Sequence, residues 1–437
     1  MLSDAIRRWN PWWIDEEVPR DILGVRREKT IEIVDSLSTR LIKGVIGPRR
    51  SGKTTLLYQI IDYLIHSGVP ARNILMLNFD DNSIYATDFE SLLSECRKIN
   101  PGITHIFLDE VQEKVDWERW VRTLYDTRQF LQIFVTGSSS SLLREEVGRV
   151  LTGRHLTFYV LPFSFVEYLL FLGWNDFSME RMESKRDEVL HHLHRYIRVG
   201  GYPEALKMDD MSRNRYLNEM FDDVVARDVA ARYGVDYGIV RRIAYYVISN
   251  ASTMLTRRSI AHACGVSVDT VSKYLGYLEG AGLIHPLRSF SFKLKEQMRE
   301  INKYYPVDVG LASAVSFRFT ENIGRKIENL VYLEFLRRMQ GDRELEVYYW
   351  RDNKGREIDF LVKKGLKVVD LVQVCWDVEE EKTRKREVAA LIRGMEMFSL
   401  SEGKVITENY EGIEVVDGKS ITYIPLWKFL LENIQNQ

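Results

Sequence analysis

The first part of the chain alternates short apolar runs with an amphipathic helix. Continuous apolar runs of strand length occupy 41–46, 73–81, 104–112 and 131–139. The segment 53–65 instead repeats its apolar residues at helical spacing and follows the first run closely. Buried strands that alternate with helices predict an α/β domain with a parallel sheet.

The periodicity changes twice further along the chain. Residues 166–236 are mostly helical in pattern, with a break at RVGGYPE (198–204). An amphipathic helix at 238–250 then precedes two helices and a glycine-containing turn within 256–284, followed by an apolar, strand-like wing. The last part predicts a helix, three strands, a helix and a strand, at 324–339, 345–352, 356–365, 367–378, 379–398 and 404–410. We therefore expect four regions, which are 1–165, 166–236, 237–315 and 320–437.

Length and composition are those of a folded protein with several domains. The chain has 437 residues, of which 45% are hydrophobic and 28% charged, and this excludes a largely disordered protein. Its cysteines, Cys96, Cys264 and Cys375, are scattered, which favours a reducing compartment over a disulfide framework or a zinc site. Pro162 and Glu167 interrupt the most apolar stretch, and the first residues lack the apolar core of a signal peptide. We expect a cytoplasmic protein that does not associate with a membrane.

The net charge of −2 conceals a basic segment. Between Arg241 and Lys303, ten lysines and arginines stand against four acidic residues, a local excess of six positive charges. Such a segment within an otherwise acidic chain is typical of a nucleic-acid interface, but a solvated surface of mixed charge also explains it. Charge alone does not separate these two interpretations.

A complete phosphate-binding motif, GxxxxGK[ST], connects the first apolar run to the helix at 53–65. Its glycines let backbone amides curl around phosphates at the positive end of a helix. The lysine reaches the outer phosphates, and the next threonine offers a hydroxyl to Mg²⁺. The motif therefore predicts binding of ATP and Mg²⁺. The candidate nucleotide-binding residues are Gly47, Pro48, Arg49, Arg50, Ser51, Gly52, Lys53, Thr54 and Thr55.

Polar residues at the ends of two later apolar runs extend this candidate site. Asp109 would hold Mg²⁺ together with Thr54, and Glu110 would activate the attacking water. Ser138 or Thr136 would contact the γ-phosphate or that water. Ser138 is equally suited to cap the helix that follows it.

Two arginines precede the apolar strand that begins near 156. Arg154, the better candidate, or Arg149 would stabilise the transferring phosphoryl group, from the same chain or from a neighbouring subunit. Pairing with a surface carboxylate explains such an arginine equally well. The candidate catalytic residues are thus Lys53, Glu110, Ser138 and Arg154.

Several motifs between residues 47 and 234 contribute to a resemblance that extends over nearly the whole chain: GPRRSGKTTLLYQI, LNFDD, IFLDEVQ, VTGSSSSLL, GR, LPFSFVEYL, GGYPEAL (200–206) and VVARDVAARYG (224–234). Together they resemble the archaeal and bacterial AAA-type ATPases that carry a winged helix and a nuclease-like C-terminal domain. The resemblance implies a P-loop ATPase core with a parallel sheet and a helical lid at 166–236. It further implies a winged helix-turn-helix at 237–315 and a PD-(D/E)xK nuclease-like α/β domain at 320–437.

If the winged helix reads DNA, its second helix presents its first turn to the major groove. The candidate DNA-binding residues are Arg257, Arg258, Ser267, Thr270 and Lys273, with the two arginines on phosphates. Because Lys273 is the single basic residue of the reading helix, we expect recognition of phosphates and shape rather than of strict sequence. Winged helices attached to ATPases also serve as adaptors for proteins, and this alternative stays open.

In the nuclease-like family, a helix glutamate, a strand aspartate and a Glu-x-Lys on the next strand bind metal and activate water. Glu328 and Asp359 fit the first two places, whereas Gln373 and Cys375 stand where the glutamate and lysine are expected. Gln373 brings no charge to a metal, and a thiol is a poor substitute for the lysine. We therefore expect a vestigial nuclease site unless another lysine supplies the base. The lysines considered for that role are Lys363, Lys382 and Lys385.

The combined expectation is a Mg²⁺-dependent ATPase that binds and remodels DNA, with branched or repair intermediates as targets. One alternative is a nucleotide-gated switch that binds a protein partner or self-associates, without DNA. Another is an ATP-gated nuclease. Three tryptophans near the start, Trp9, Trp12 and Trp13, would pack on another domain, stack on adenine or contact a partner. Packing is the commonest of these roles.

Overall fold

The computed structural model describes residues 2–137, 151–292, 301–316 and 323–435, with the backbone only at 382–383 and 433–435. These residues form two compact units. The first runs to Pro162 and includes Gly280–Gly282, and the second begins at Phe163 and contains the rest. The boundary lies close to residue 165, where the sequence predicts the end of the first region.

The first unit is built on a five-stranded parallel sheet. Its strands are β1 (Ile42–Ile46), β2 (Ile74–Asn78), β3 (His105–Asp109), β4 (Gln132–Gly137) and β5 (His155–Tyr159). Their order in the sheet is β2-β3-β4-β1-β5, and all neighbours are parallel. Strands β1, β2 and β3 are buried at every position, as uninterrupted apolar runs predict for parallel strands. This confirms the α/β class of the first region.

The described helices of the first unit connect and cover these strands. They are α1 (Leu2–Arg8), α2 (Trp12–Asp15), α3 (Arg20–Leu23), α4 (Lys29–Asp35), α5 (Lys53–His66), α6 (Asn82–Tyr85), α7 (Phe89–Ile99) and α8 (Trp117–Asp126). Helix α5 begins at the lysine of the phosphate-binding motif, as the sequence predicts. It buries Leu56, Leu57, Ile60, Ile61 and Leu64, which form one apolar stripe at helical spacing.

The N-terminal segment closes the exposed edge of the sheet. The side-chain amide of Asn10 donates to the carbonyl of Met76 at 2.8 Å and accepts from the N–H of Met76 at 2.7 Å, so it pairs with β2 as a strand would. The indole N–H groups of Trp12 and Trp13 donate to the carbonyl of Ile74 at 3.1 and 2.7 Å. These tryptophans are buried, and their role is therefore packing on a sheet edge that would otherwise be unpaired.

The second unit begins with helices, as the sequence predicts for 166–236. They are α9 (Phe165–Phe171), α10 (Met179–Ser184), α11 (Arg186–Val199) and α12 (Asp210–Asp223), followed by a π-helix at Val224–Ala231. A capping box formed by Ser164 and Glu167 starts α9. Within the described ranges, no helix is both long enough and apolar enough to cross a membrane.

A small sheet with three helices follows. In chain order its elements are α13 (Tyr237–Ser249), β6 (Met254–Thr256), α14 (Arg257–Cys264), α15 (Val268–Gly280), β7 (Ile284–Arg288) and β8 (Ile301–Pro306). The strands form an antiparallel sheet in the order β6-β8-β7. Gly265 ends α14 with a φ of 66°, a left-handed conformation that favours glycine. This is the turn that the sequence predicts between the two helices.

The C-terminal part is a six-stranded mixed sheet with helices. Its elements are α16 (Val309–Val315), α17 (Ile323–Gly341), β9 (Leu345–Arg351), β10 (Glu357–Lys364), β11 (Lys367–Val374), α18 (Glu381–Phe398), β12 (Glu402–Thr407), β13 (Gly412–Val416), β14 (Lys419–Pro425) and α19 (Leu426–Gln435). The strand order is β13-β14-β12-β11-β10-β9. The helix and strand order predicted between 324 and 410 is confirmed, and β13, β14 and α19 extend the domain beyond it.

Two consecutive glycines lie where distant parts of the second unit meet. A Cβ atom on Gly201 would lie 2.3 Å from the carbonyl oxygen of Phe163. One on Gly200 would lie 2.2 Å from the carboxylate of Asp308. The backbone N–H of Gly201 donates to Asp308 at 2.6 Å, and the next residue, Tyr202, is buried. The GGYPEAL motif is therefore a packing element of this unit.

Candidate functional site

The phosphate-binding loop lies between the end of β1 and the start of α5. Its backbone takes left-handed conformations at Gly47, Arg50 and Gly52, with φ angles of 154°, 65° and 92°. A side chain at Gly47 is excluded, because its Cβ would lie 2.2 Å from the carbonyl oxygen of Val160. The glycines therefore allow the loop a backbone conformation that is energetically unfavourable for most other residues.

Lys53 and Ser51 are the buried polar side chains of this loop. The Lys53 ammonium lies 3.2 and 3.1 Å from the carbonyl oxygens of Gly47 and Pro48 and 3.9 Å from a carboxylate oxygen of Glu110. The Ser51 hydroxyl is buried and has no hydrogen-bond partner among the described residues. An unsatisfied hydroxyl beside a buried ammonium fits an anionic ligand such as a phosphate group.

Arg27, which carries no sequence motif, holds the phosphate-binding loop in place through hydrogen bonds. The buried Arg27 guanidinium donates to the carbonyl oxygens of Ser51 and Leu161 at 2.6 and 2.7 Å. Its backbone N–H donates to Gln59 on α5 at 3.1 Å. Arg27 therefore ties the N-terminal segment to the loop, to the helix behind it and to the chain beyond β5.

The two acidic residues at the end of β3 have different surroundings. Asp109 is fully buried, and its Oδ2 atom accepts from the Thr54 hydroxyl at 2.8 Å and from the Asn78 amide at 2.9 Å. Its Oδ1 atom accepts from Thr136 at 2.5 Å. Glu110 has a φ of 51° and donates its backbone N–H to Thr136 at 2.9 Å. The structure thus brings Thr54, Asp109 and Glu110 together, and Asn78 and Thr136 hold the carboxylates in place.

Burial raises the pKa of the Asp109 carboxyl group above its ordinary value. Burial first, and then the nearby charge of Glu110, raise the pKa of Asp109 to about 6, against the opposing effects of Thr136, Thr54 and Lys53. A buried carboxylate of this kind is stabilised by a cation, and Thr54 supplies a second oxygen beside it. These two residues therefore fit a Mg²⁺ ion.

Such an ion would need further ligands. Among the residues that the structure describes, no group of three or more His, Cys, Asp or Glu side chains is placed to hold a metal. Mg²⁺ prefers six oxygen ligands and usually combines one or two carboxylates with phosphates and waters. The residues present fit a metal that binds together with a nucleotide.

The structure places Arg154 away from the phosphate-binding loop. It lies just before β5, and its carbonyl accepts from the N–H of Ile42 at the start of β1, whereas the phosphate-binding loop follows the end of β1. Five strand residues separate the two ends by roughly 15 Å. The Arg154 guanidinium pairs with Asp126 at 2.8 Å. Arg154 is therefore not among the residues gathered at the loop of its own chain, and its role in phosphoryl transfer stays a prediction. Ser138 and Arg149 lie outside the described residues.

The candidate DNA-binding residues are partly used for local structure. Ser267 caps α15, because its hydroxyl accepts from the N–H of Thr270 at 3.1 Å and contacts the Thr270 hydroxyl at 2.8 Å. Arg258 and Lys273 are exposed, and Arg257 is half-buried. Burial raises the pKa of the nearby Glu279 to about 7, against the opposing charges of Arg288 and Arg257.

Other members of the basic segment are engaged elsewhere. Arg241 pairs with Asp222 at 2.7 Å, and Arg242 donates to the carbonyl of Cys264 at 3.0 Å. Lys303 is buried. The exposed positive charge is therefore smaller than the sequence count indicates.

The candidate nuclease residues do meet, but in an altered form. Asp359 on β10 and Gln373 on β11 are adjacent, since the N–H of Asp359 donates to the Gln373 side-chain oxygen at 3.2 Å. The Gln373 amide donates to Glu387 on α18. The one oxygen by which Gln373 would bind a metal is therefore already a hydrogen-bond acceptor.

None of the side chains considered for the missing lysine is placed as a base, so far as the structure describes them. Cys375 belongs to a buried apolar cluster, and burial, then Glu387, raise its pKa to about 11. Lys363 pairs with Glu346 at 2.8 Å, and Lys385 is an exposed side chain that pairs with Glu381 at 2.6 Å. The side chain of Lys382 lies outside the described residues.

A different lysine occupies the cluster. The Lys303 ammonium on β8 lies 2.7 Å from Glu328, 2.6 Å from Glu357 and 3.1 Å from Asp359. In the sequence, Lys303 stands out only as the last residue of the basic segment. No local sequence signal indicates its burial, because lysine is mostly exposed in folded proteins unless it is paired.

Three family models match the chain. One described as an AAA domain matches residues 39–169. Two described as domains of unknown function, DUF8612 and DUF4143, match residues 190–322 and 323–429. The first match covers the sheet and the loop described above, and the chain therefore contains an AAA domain of P-loop type.

Similar proteins include curated relatives and a solved structure. The uncharacterized protein MJ1544 of Methanocaldococcus jannaschii is 32% identical over 437 residues, covering 95% of each chain. An uncharacterized protein of Haemophilus influenzae is 28% identical over 417 residues, which is 92% of this chain and 98% of that protein. The Walker-type ATPase paby2304 of Pyrococcus abyssi has a TM-score of 0.46 at 15% identity, covering 68% of this chain and 97% of that chain.

We predict that Asp109→Asn changes how stability depends on pH. The pKa of Asp109 lies above its ordinary value of 3.8, at about 6. This residue therefore stabilises the folded protein most at low pH, and the contribution is lost as pH rises through about 6. A pKa difference of this size corresponds to about 2–3 kcal/mol in the free energy of unfolding.

Thermal melts of the nucleotide-free wild type and variant between pH 4.5 and 7.5 measure this effect. The melting temperature of the variant should rise relative to wild type with increasing pH. A difference that stays constant over this range would show that Asp109 is not a strained, buried charge.

Proposed function

This chain belongs to the same protein family as MJ1544 of Methanocaldococcus jannaschii and contains an AAA domain, and on this premise we propose that it is a Mg²⁺-dependent ATPase. The observation that carries the proposal is the contact of 2.8 Å between Thr54, at the end of the phosphate-binding loop, and the fully buried Asp109. This contact places the phosphate-binding loop beside Asp109, a buried carboxylate that a bound cation would stabilise.

Each residue of the site then has a distinct task. The loop amides and Lys53 bind the phosphates, and Thr54 and Asp109 hold Mg²⁺. When bound, Mg²⁺ neutralises phosphate charge and favours attack on the terminal phosphorus. Glu110 orients the attacking water and accepts its proton. The Lys53 ammonium lies 3.9 Å from the Glu110 carboxylate and holds it on the side of the loop.

Neighbouring residues act by positioning. Gln112 donates to Glu110 at 2.5 Å, and Thr136 contacts both Asp109 and the Glu110 backbone. Asn78 donates to Asp109 from the neighbouring strand β2. These contacts fix the carboxylates before substrate arrives, so that little reorganisation is needed during the reaction.

We further propose that α13 to β8 form a winged helix that contacts DNA, and that ATP hydrolysis serves to remodel it. The exposed Arg258 and Lys273 on α14 and α15 support this proposal, as does the excess of positive charge in the segment. Binding through phosphates and shape fits such a small set of basic residues. Branched or repair intermediates are the proposed targets because of the nuclease-like order of the C-terminal elements.

A protein partner in place of DNA is the second candidate. The capping role of Ser267 and the engagement of Arg241 and Arg242 within the protein favour it, because they reduce the surface available to nucleic acid. In that case α14 and α15 would bind a protein and the ATPase would act as a nucleotide-gated switch.

We expect Lys53→Ala and Glu110→Gln to abolish ATP hydrolysis in different ways. Loss of the lysine should remove ATP binding together with turnover, whereas Glu110→Gln should bind ATP and lower kcat by about 100-fold or more. Steady-state phosphate release and equilibrium binding of a fluorescent ATP analogue separate the two effects.

Arg154→Ala is the matched control, because it removes a charge from the same domain at the far end of β5. Its turnover should stay close to that of wild type. Normal turnover in Lys53→Ala would contradict the proposed site, and loss of turnover in Arg154→Ala would reinstate an arginine that acts on a neighbouring subunit.

We also expect DNA to stimulate hydrolysis in a salt-dependent manner. The double variant Arg258→Ala, Lys273→Ala should weaken binding to labelled linear and four-way branched DNA. It should also reduce the slope of log affinity against log salt by about 2. Arg393→Ala, which removes a half-exposed arginine paired with Glu396, is the control and should leave the slope unchanged.

Binding is best measured by fluorescence anisotropy over a salt series with Glu110→Gln and ATP. A wild-type protein that binds neither DNA at low salt would exclude the DNA proposal and favour the protein partner. An unchanged slope in the double variant would place the DNA contact elsewhere.

A further inference from the structure

Lys303 is a fully enclosed cation at the centre of the C-terminal carboxylate cluster. It is 2% exposed, and its ammonium contacts Glu328 on α17 and both Glu357 and Asp359 on β10 at 2.6–3.1 Å. An ammonium has three N–H donors. Three donors thus meet three carboxylates, and the hydrogen-bonding capacity of Lys303 is filled.

Further contacts engage the carboxylate oxygens. Glu328 accepts from the Tyr305 hydroxyl at 2.6 Å through the same oxygen that contacts Lys303. The second oxygen of Asp359 accepts from the backbone N–H of Val374 at 3.0 Å. The cluster is therefore arranged around the lysine and the neighbouring backbone. Mg²⁺–oxygen bonds of about 2.0–2.1 Å are shorter than these contacts.

The charges of the cluster depend on this lysine. Burial by itself lowers the pKa of Lys303, but the surrounding carboxylates, Glu328 foremost, outweigh burial and hold that pKa well above its ordinary value. Burial raises the pKa of Glu328 to about 7, although Lys303 opposes this. A second cation at the same point would lie within a few ångströms of the ammonium and be strongly repelled in a buried setting.

Lys303 is held in this position, because its strand contacts both β9 and α17 of the C-terminal part. The Tyr349 hydroxyl on β9 donates to the carbonyl of Ile301 at 2.9 Å. Tyr305 stacks on Tyr332 of α17 with ring centroids 4.2 Å apart. The chain after β7 is joined as well, since the N–H of Phe290 donates to the carbonyl of Tyr349 at 2.7 Å.

We propose that the Lys303 ammonium takes the place of a divalent metal ion in this cluster and makes the C-terminal domain a scaffold that does not cleave nucleic acid. The lysine is a permanent counterion supplied by the small sheet β6-β8-β7. It fixes that sheet to α17 and β10, so that the two sheets of the second unit respond together to whatever either one binds. This inference does not depend on ATP hydrolysis in the first unit.

The test is rescue of Lys303→Ala by a divalent cation. Removing the lysine leaves buried carboxylates unpaired, and we expect the melting temperature of the nucleotide-free, full-length variant to fall by about 5–15 °C. Mn²⁺ at millimolar concentration should restore part of this loss in Lys303→Ala. It should leave the melting temperature of wild type unchanged and have no effect on Lys303→Ala, Asp359→Asn.

Lys363→Ala is the matched control, because Lys363 also lies on β10 and pairs with a carboxylate, Glu346, but near the surface. It should lose little stability and gain none from Mn²⁺. A folded Lys303→Ala that does not respond to Mn²⁺ would overturn the proposal that lysine and metal are interchangeable here.

A second measurement applies if Lys303→Ala does not fold. The neutralised variant Lys303→Met, Glu328→Gln, Glu357→Gln, Asp359→Asn should then fold, because charge rather than shape is what the lysine supplies. Failure of this variant as well would contradict the counterion role.

Incubation of wild type with branched DNA and Mn²⁺ gives an independent check on cleavage, and we expect none. Cleavage by wild type that is lost in Asp359→Asn would overturn the proposal. Lys303 would then be a lysine that assists a working metal site.

Discussion

The need of buried carboxylates for a cation governs both candidate sites of this protein. Asp109 is fully buried at the end of β3, and burial, followed by the neighbouring charge of Glu110, raises its pKa. Glu328 and Asp359 in the other unit are also enclosed, but the ammonium of Lys303 lies directly against them. The Asp109 site thus requires a bound cation, whereas the carboxylates of the C-terminal cluster are already paired with the Lys303 ammonium.

The fold explains why the two sites differ. Parallel strands in the first unit bring a phosphate-binding loop and Asp109 to the same edge of the sheet, which is the usual position for ligands in α/β proteins. In the second unit an antiparallel strand, β8, approaches the C-terminal sheet and inserts a long basic side chain between its carboxylates. The carboxylates of this cluster are thereby paired as in an ordinary buried ion cluster.

Sequence patterns predicted the residues of the first site because each part carries a signal of its own, although Thr54 and Asp109 are 55 residues apart. The loop, Lys53 and Thr54 are contiguous, and Asp109 closes a clear apolar run. Contacts between distant segments were not accessible in this way. Lys303 lies 25 residues from Glu328 and 56 from Asp359 along the chain.

Arg27 and Arg154 both show that a sequence motif does not decide which side chains reach the phosphate-binding loop. Arg27 braces the loop from 24 residues away and carries no motif, whereas Arg154 follows a suggestive motif but lies at the wrong end of its strand. Periodicity predicts helices and strands, and the register between strands decides which side chains meet.

The most direct test of the account is anomalous X-ray diffraction from wild-type crystals grown with Mn²⁺ and a non-hydrolysable ATP analogue. The account predicts a manganese peak beside Thr54 and Asp109 and none between Glu328 and Asp359; a peak at the second position, or none at the first, would contradict it.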